Sequence, residues 1–261
     1  MIDETTLKIA IAGFVHDMGK FAQPGNLNVS PEFINNNADL YQPFFNEHHT
    51  HKHAVYTAAF IDHIEKLLPK KFNRANWGLE DSFMNLAAGH HKPETPMQWI
   101  IAMADRISSG WDRKNFDKEY NSAIAWGDYK KTRLLPLFEG IKIDEQMDMD
   151  TSEKYSWCYP LKEMSPDNIF PSLEEQIAPE DNDEATADYD RLFHEFIYAL
   201  ENLYHREENI QLWFDHFDSL MMIYTSAIPA ARAGNIIPDV SLYDHSKTTA
   251  ALATALYLYH T

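Results

Sequence analysis

Ala12-Gly13-Phe14-Val15-His16-Asp17-Met18-Gly19-Lys20 sets an apolar run directly against an imidazole, a carboxylate and an ammonium. Upstream of it, Leu7, Ala10, Ile11, Phe14, Val15 and Met18 recur at three- and four-residue spacing, which predicts a helix capped by Asp3 and running to about Gly19. The apolar lead-in presses His16 and Asp17 toward the core, where such groups are costly unless paired or bound to a metal. A His-Asp hydrogen bond that finishes a helix is the simpler account of the same residues.

Outward from this stretch the pattern stays helical. Pro24 to Asn46 reads as loop. Val55, Ala58, Ala59, Ile61 and Leu67 mark a helix from about His51 to Leu68, stopped by Pro69. Leu79 to His91 reads as a further helix. Thr95 is placed to cap the next one, with Pro96 at its first position and Gln98 completing a capping box, and that helix runs to about Ser108. Tyr155 to Leu161 is weakly strand-like. Glu174 to Asp190 holds eight carboxylates and no Lys or Arg, the composition of a solvated insertion leading into a helix. Helices are expected at about Asp188 to His205, Ile210 to Tyr224 and, after Pro229 and Pro238, Leu242 to Tyr259.

Composition narrows the function classes. In 261 residues, 44% hydrophobic and 24% charged, there is apolar material for one sizeable core, and nine Gly with thirteen Pro leave little for long flexible linkers. The net charge of −18 repels phosphate backbones and acidic membranes, so any nucleic-acid contact has to be local. Cys158 is the single cysteine, which rules out an intrachain disulfide and fits a reducing cytoplasm. Asp3 and Glu4 stand where a signal peptide carries positive charge, and the longest near-apolar run, Thr248 to Tyr259, is too short for a bilayer, so no membrane is expected.

The thirteen His cluster: His48, His49, His51 and His53 in one block, His90 and His91 in another. His49 and His53 share a helix face if the helix starts early, with His51 pointing elsewhere. His90 and His91 precede Pro93 and converge on one site only if they sit at a fraying helix end; otherwise they are exposed. Asp105, in Trp99 to Ile107, is inward-facing by its neighbours, with a salt bridge to Arg106 or Arg113 as its ordinary use. Asp244-His245 opens the last helix, and a lone His there reads first as structural. Together, His and Asp at several apolar helix junctions form the pattern of a metal centre in a helical bundle. Mixed imidazole and carboxylate donors suit Mn, Fe, Co, Ni or Zn, as one or two divalent ions, with Asp17 as a bridge. Two such ions can activate water and clamp the oxygens of a phosphoryl displacement, and Lys20 would neutralise the phosphate.

At this point the stretch from Ala12 to Lys20 resembles the defining motif of the HD metal-dependent phosphohydrolases, and Ile101 to Ser108 resembles their distal Asp helix. Most HD proteins carry another His helix ahead of the His-Asp pair. Here Pro238 to Ala251, with His245, resembles that helix displaced to the far end, a circular permutation. This order resembles the N-terminal HD domain of the large subunit of type III CRISPR effector complexes. His90-His91-Lys92-Pro93, Ala104 to Gly110, Tyr159 to Lys162 and Ile169-Phe170-Pro171 agree with it, and Ser108-Ser109-Gly110 is closer to the III-A (Csm-type) form.

The resemblance implies an all-α, permuted HD bundle: a single domain over 1–261 with a small acidic, partly strand-like insertion at about 140–185. It places the metal positions at His16, Asp17, His53, His90, His91, Asp105 and His245, with His49 and His51 competing for the place of His53. It implies single-stranded DNA as substrate, and as partners palm domains and the other subunits of a ribonucleoprotein with guide RNA. Lys20, Lys92, Arg106 and Arg113 are the candidate DNA-contacting cations. The family's palm domains carry a Gly-Gly-Asp-Asp motif; no two glycines are adjacent here, so the palm is expected to be absent from this chain, a piece of the longer subunit. A nucleotide phosphohydrolase and a non-catalytic docking domain are the competing functions.

Overall fold

The computed structural model describes residues 4–72, 81–112, 126–140, 156–233 and 237–261. The first helix, α1 (Glu4–Val15), buries Ile9, Ile11, Ala12, Gly13, Phe14 and Val15, so its second half is apolar on every side and lies in the core. A tight turn follows, and α2 (Gly19–Ala22) restarts the chain in a new direction. The single helix expected to run to Gly19 is thus broken at His16, and the break lifts the His-Asp pair out of the helix.

The expected loop from Pro24 to Asn46 contains α3 (Pro31–Tyr41) instead. Ser30 accepts the Phe33 N–H and Pro31 occupies the first turn, both proper start signals, but the Asn35-Asn36-Asn37 run weakens the helical pattern. Phe33, Ile34 and Tyr41 of this helix pack on Ala54, Val55 and Ala58, and that burial overrides the poor propensity. Next, β1 (Phe44–Phe45) and β2 (His48–His49) pair antiparallel across Asn46 and Glu47, whose φ of 49° and 65° make a two-residue hairpin turn. His51 is also left-handed, at φ 56°, so α4 (His53–Ile64) begins at His53, and His49 stays on a strand rather than on the helix face.

α5 (Phe83–Ala88) is capped by Ser82 and tightens into a 3-10 turn at Gly89–His91. It is shorter than the helix expected from Leu79. α6 (Pro96–Asp112) is capped where expected, the Thr95 hydroxyl accepting the Gln98 N–H, but the box is not reciprocal: the Gln98 side chain accepts the Glu94 N–H, one residue before the Thr95 N–H that a capping box uses. β3 (Trp157–Cys158) pairs with β4 (Ser172–Leu173), which leads through α7 (Glu174–Ile177) into α8 (Asn182–Glu201). Asp181 caps α8 through the Asp183 and Glu184 N–H groups, so the helix starts ahead of the expected Asp188. Of the insertion expected at about 140–185, residues 141–155 lie outside the described residues. α9 (Ile210–Thr225) and α10 (Leu242–His260) complete a mostly helical, HD-like bundle.

α10 packs along α1 and α6, which brings the two ends of the sequence together. The approach is close: a Cβ on Gly13 would lie 3.2 Å from the Ala250 backbone. Phe14 anchors the same interface, edge-on to Phe214, Phe217 and Tyr243 at centroid distances of 6.0, 6.2 and 6.1 Å. Truncating such a buried ring costs about 3–5 kcal/mol.

Candidate metal centre

The loop between α1 and α2 is clamped by one side chain. Thr57 of α4 accepts the Gly19 N–H at 2.9 Å and donates to the His16 carbonyl at 2.8 Å. Gly19 has no room for a side chain: a Cβ there would lie 1.8 Å from the His53 carbonyl oxygen. This contact seats His53, the first residue of α4, beside Asp17.

Asp17 stands at the centre. Its Oδ1 lies 3.2 Å from His53 Nε2 and 3.6 Å from His90 Nε2. Its Oδ2 lies 3.5 Å from His16 Nε2, 3.4 Å from His245 Nε2 and 2.6 Å from Lys20 Nζ. Asp105 Oδ1 closes the second side, 3.7 Å from His16 Nε2 and 3.2 Å from His245 Nε2. His91 joins the first side through His53, with the two Nε2 atoms 2.8 Å apart. The result is two donor groups that share Asp17: Asp17, His53, His90 and His91, and His16, Asp17, Asp105 and His245. His16, Asp17, His90 and His245 are almost wholly buried.

The imidazoles are oriented from behind. His16 Nδ1 donates to the Gly13 carbonyl at 2.7 Å, and His90 Nδ1 donates to the Ala87 carbonyl at 2.8 Å. A carbonyl only accepts, so in each neutral ring the proton is on Nδ1 and the Nε2 lone pair points into the centre. Neither Nε2 has a hydrogen-bond partner although both are buried. His245 Nδ1 is held by the Ser108 hydroxyl at 3.1 Å.

Charge is arranged to match. Burial lowers the His16 and His91 imidazoles and holds His53 at about 4, so these rings are neutral, as ligands must be. Burial acts to raise the Asp17 carboxyl, but Lys20 and the surrounding imidazoles outweigh it and keep the group well below the usual range. Asp105 is likewise held below the usual range against burial, by the His16 and His245 imidazoles beside it.

These donors fit divalent ions. Nitrogen and oxygen ligands about 2.1 Å from an ion stand roughly 3.0–3.4 Å apart, close to the spacings around Asp17. The orphaned Nε2 atoms of His16 and His90 supply the second sign, because buried acceptors without partners are otherwise costly.

The centre opens into a cavity of about 970 Å³ lined by Lys20, the His48–His53 segment, Arg106, Tyr129 and Arg232, among others. Of the expected DNA-contacting cations, Lys20 is engaged with Asp17, and Arg106 reaches the cavity while its guanidinium lies 5.3 Å from the Trp99 ring centre. Lys92 is turned away and donates to the Asp39 carbonyl. Arg113 lies outside the described residues. Of the ordinary uses foreseen for Asp105, the salt bridge to Arg106 does not form and the one to Arg113 falls outside the described residues; its described neighbours are His16, His245 and the Ser109 hydroxyl. His49 contacts Asp39, 3.4 Å away, and His51 packs on His91 at the cavity edge. Sequence reasoning missed Thr57 and Ser108, which act through other residues, and Arg232, which no motif marks.

No family model matches the chain. It is 27% identical over 263 residues to the "CRISPR system single-strand-specific deoxyribonuclease Cas10/Csm1 (subtype III-A)" of Methanocaldococcus jannaschii, covering 97% of this chain and 28% of that protein. The chain therefore spans under a third of that relative's length. Among solved structures it resembles a Csm1-Csm4 cassette in complex with cA4 (TM-score 0.50, 17% identity, 98% of this chain and 28% of that one). A cassette with cA3 is similar to the same degree (TM-score 0.50, 18% identity, 99% and 29%). These two share its fold. The chain is a homologue, along nearly all of its own length, of the Csm1/Cas10 large subunit of type III-A CRISPR complexes.

Proposed function

We propose that this chain is a metal-dependent nuclease domain that hydrolyses single-stranded DNA as part of a type III CRISPR effector complex. The observation that carries the reading is the pair of buried donor groups joined at Asp17, with oriented imidazoles beside an open cavity. Its relative from Methanocaldococcus jannaschii is named as a single-strand-specific deoxyribonuclease, which supports the substrate class.

His53, His90 and His91 would hold one divalent ion and His16, Asp105 and His245 the other, with Asp17 contributing to both. When bound, the ions supply Lewis acidity and an acidified water for attack at phosphorus. The residues of the chain do the rest. Neutral imidazoles keep the site from repelling cations, and the Asp17 and Asp105 carboxylates offset the ions' charge. Lys20, within reach of Asp17, is placed to shift to a phosphate oxygen once the carboxylate is otherwise engaged. The chain's net charge of −18 makes local cations decisive for holding a polyanion. Among the described residues no helix is long and apolar enough to cross a membrane. Palm domains, further subunits and guide RNA are the proposed partners, and the cytoplasm the proposed location.

The test is cleavage of a single-stranded DNA oligonucleotide with Mn, Co, Ni or Mg, set beside mononucleotides, for wild type and D17N. Metal-dependent cleavage of the strand that D17N lacks supports the proposal. Undiminished cleavage by D17N, or turnover of mononucleotides alone, contradicts it.

A further inference from the structure

Among the described residues the buried arginines are Arg133, 5% exposed, and Arg232, 9% exposed. Arg133 is neutralised by Asp188, 2.8 Å from its Nη2. Arg232 has no carboxylate partner among the described residues. Its guanidinium lies instead between two rings, 4.9 Å from the Tyr129 centre and 5.6 Å from that of Tyr189, and Nη1 donates to the Tyr189 hydroxyl at 3.2 Å. Ring faces steady a cation but do not cancel its charge. A buried charge without a counter-ion is costly, and a group that stays charged there calls for an anion.

The position is also fixed in advance. The Arg232 carbonyl accepts from the Thr132 hydroxyl at 2.8 Å, and Ala230 N–H bonds Val240 carbonyl at 2.9 Å just before α10. Tyr189 is fully buried on α8. Arg232 and Tyr129 line the same cavity as Asp17, Lys20 and Asp105. The other cations there are committed or peripheral: Lys20 is on Asp17, and Lys52 and Arg106 are exposed. A planar guanidinium with fixed orientation and free N–H donors matches a phosphate geometrically.

We infer that Arg232, gripped between Tyr129 and Tyr189, is the phosphate-recognition residue of this cavity and holds a phosphodiester of the single strand whose cleavage is proposed above. The inference rests on that reading for the identity of the strand. It makes Arg232 a binding residue, distinct from the metal-holding set, and assigns Tyr129 and Tyr189 the task of aiming it.

The test is fluorescence anisotropy of a labelled oligothymidylate in EDTA at low salt, followed through a salt titration, for wild type, R232Q and R232K, with thermal melting of each. EDTA keeps the readout independent of the metal centre. R232Q should bind about tenfold or more weakly, the scale of a charge-assisted hydrogen-bonded contact. Its salt slope should fall by about 0.7, one phosphate contact on a single strand. R232K should keep the slope but bind several-fold more weakly, because an ammonium lacks the fork. Equal affinity and slope in R232Q and wild type would overturn the inference. If R232Q does not fold, wild-type affinity in R232K overturns it equally. A wild type that binds no oligothymidylate refutes the strand as substrate. Arg232 is then judged on inorganic phosphate: a rise in melting temperature that R232K loses supports phosphate recognition, and no rise in wild type overturns it.

Discussion

Replacing Thr57 with Val tests how the metal-binding loop is held. The substitution keeps the shape of a fully buried side chain and removes the hydroxyl that accepts the Gly19 N–H and donates to the His16 carbonyl. No cavity forms, so the cost is that of two buried polar groups losing a partner. At about 1–3 kcal/mol for each, partly relieved by local relaxation, roughly 3 kcal/mol is expected. For a chain of this size each kcal/mol moves the melting temperature about 2–4 °C, so T57V should melt about 6–12 °C below wild type by circular dichroism. T57S, which keeps the hydroxyl and gives up one methyl group, should recover most of that loss. Manganese affinity should fall in T57V as well, because His16 and Asp17 lie on the loop that loosens. A T57V melting point within about 1 °C of wild type, or T57S falling as far as T57V, would refute the reasoning.

S108A removes the hydroxyl that holds His245 Nδ1 and should weaken metal binding about 10- to 100-fold by calorimetry while helical content stays unchanged. G19A places a Cβ against the His53 carbonyl and should cost about 3 kcal/mol or more, read as a lowered midpoint in urea. In the metal-free chain, burial depresses His53 from 6.5 to about 4, and lowers His16 and His91 in the same direction. Between those values the unfolded chain takes up protons that the folded chain refuses, so stability is full above pH 6.5 and declines as pH falls through that window. Melting temperatures at pH 7.5, 6 and 5 check this, and a flat profile would contradict it.

Local signals in the sequence carried well where side chains act on their own backbone. Thr95 caps α6 as its spacing requires, with Gln98 reaching back to the Glu94 N–H, and the apolar repeat through Phe14 marks α1. Where tertiary contacts decide, they failed. α3 carried start signals at Ser30 and Pro31, but its stability comes from packing on Ala54, Val55 and Ala58, which no local window contains. The choice among His49, His51 and His53 turned on the left-handed backbone at His51, a conformation its residue type does not announce. The juxtaposition of His245 with Asp17 and Asp105 spans most of the chain, and only the family resemblance pointed to it. Arg232 had no motif because its meaning is a missing carboxylate, visible only once its surroundings are assembled.

In the proposed centre, residues from both ends of the chain and from helices between them chelate divalent ions around Asp17. Elemental analysis with manganese titration calorimetry on wild type and D17N measures this chelation directly. Two donor groups sharing one carboxylate predict up to two ions per wild-type chain and the loss of tight binding at both in D17N, with the fold retained. A wild type that takes up no manganese, cobalt, nickel, iron or zinc, or a D17N chain that binds as many ions as tightly, would contradict it.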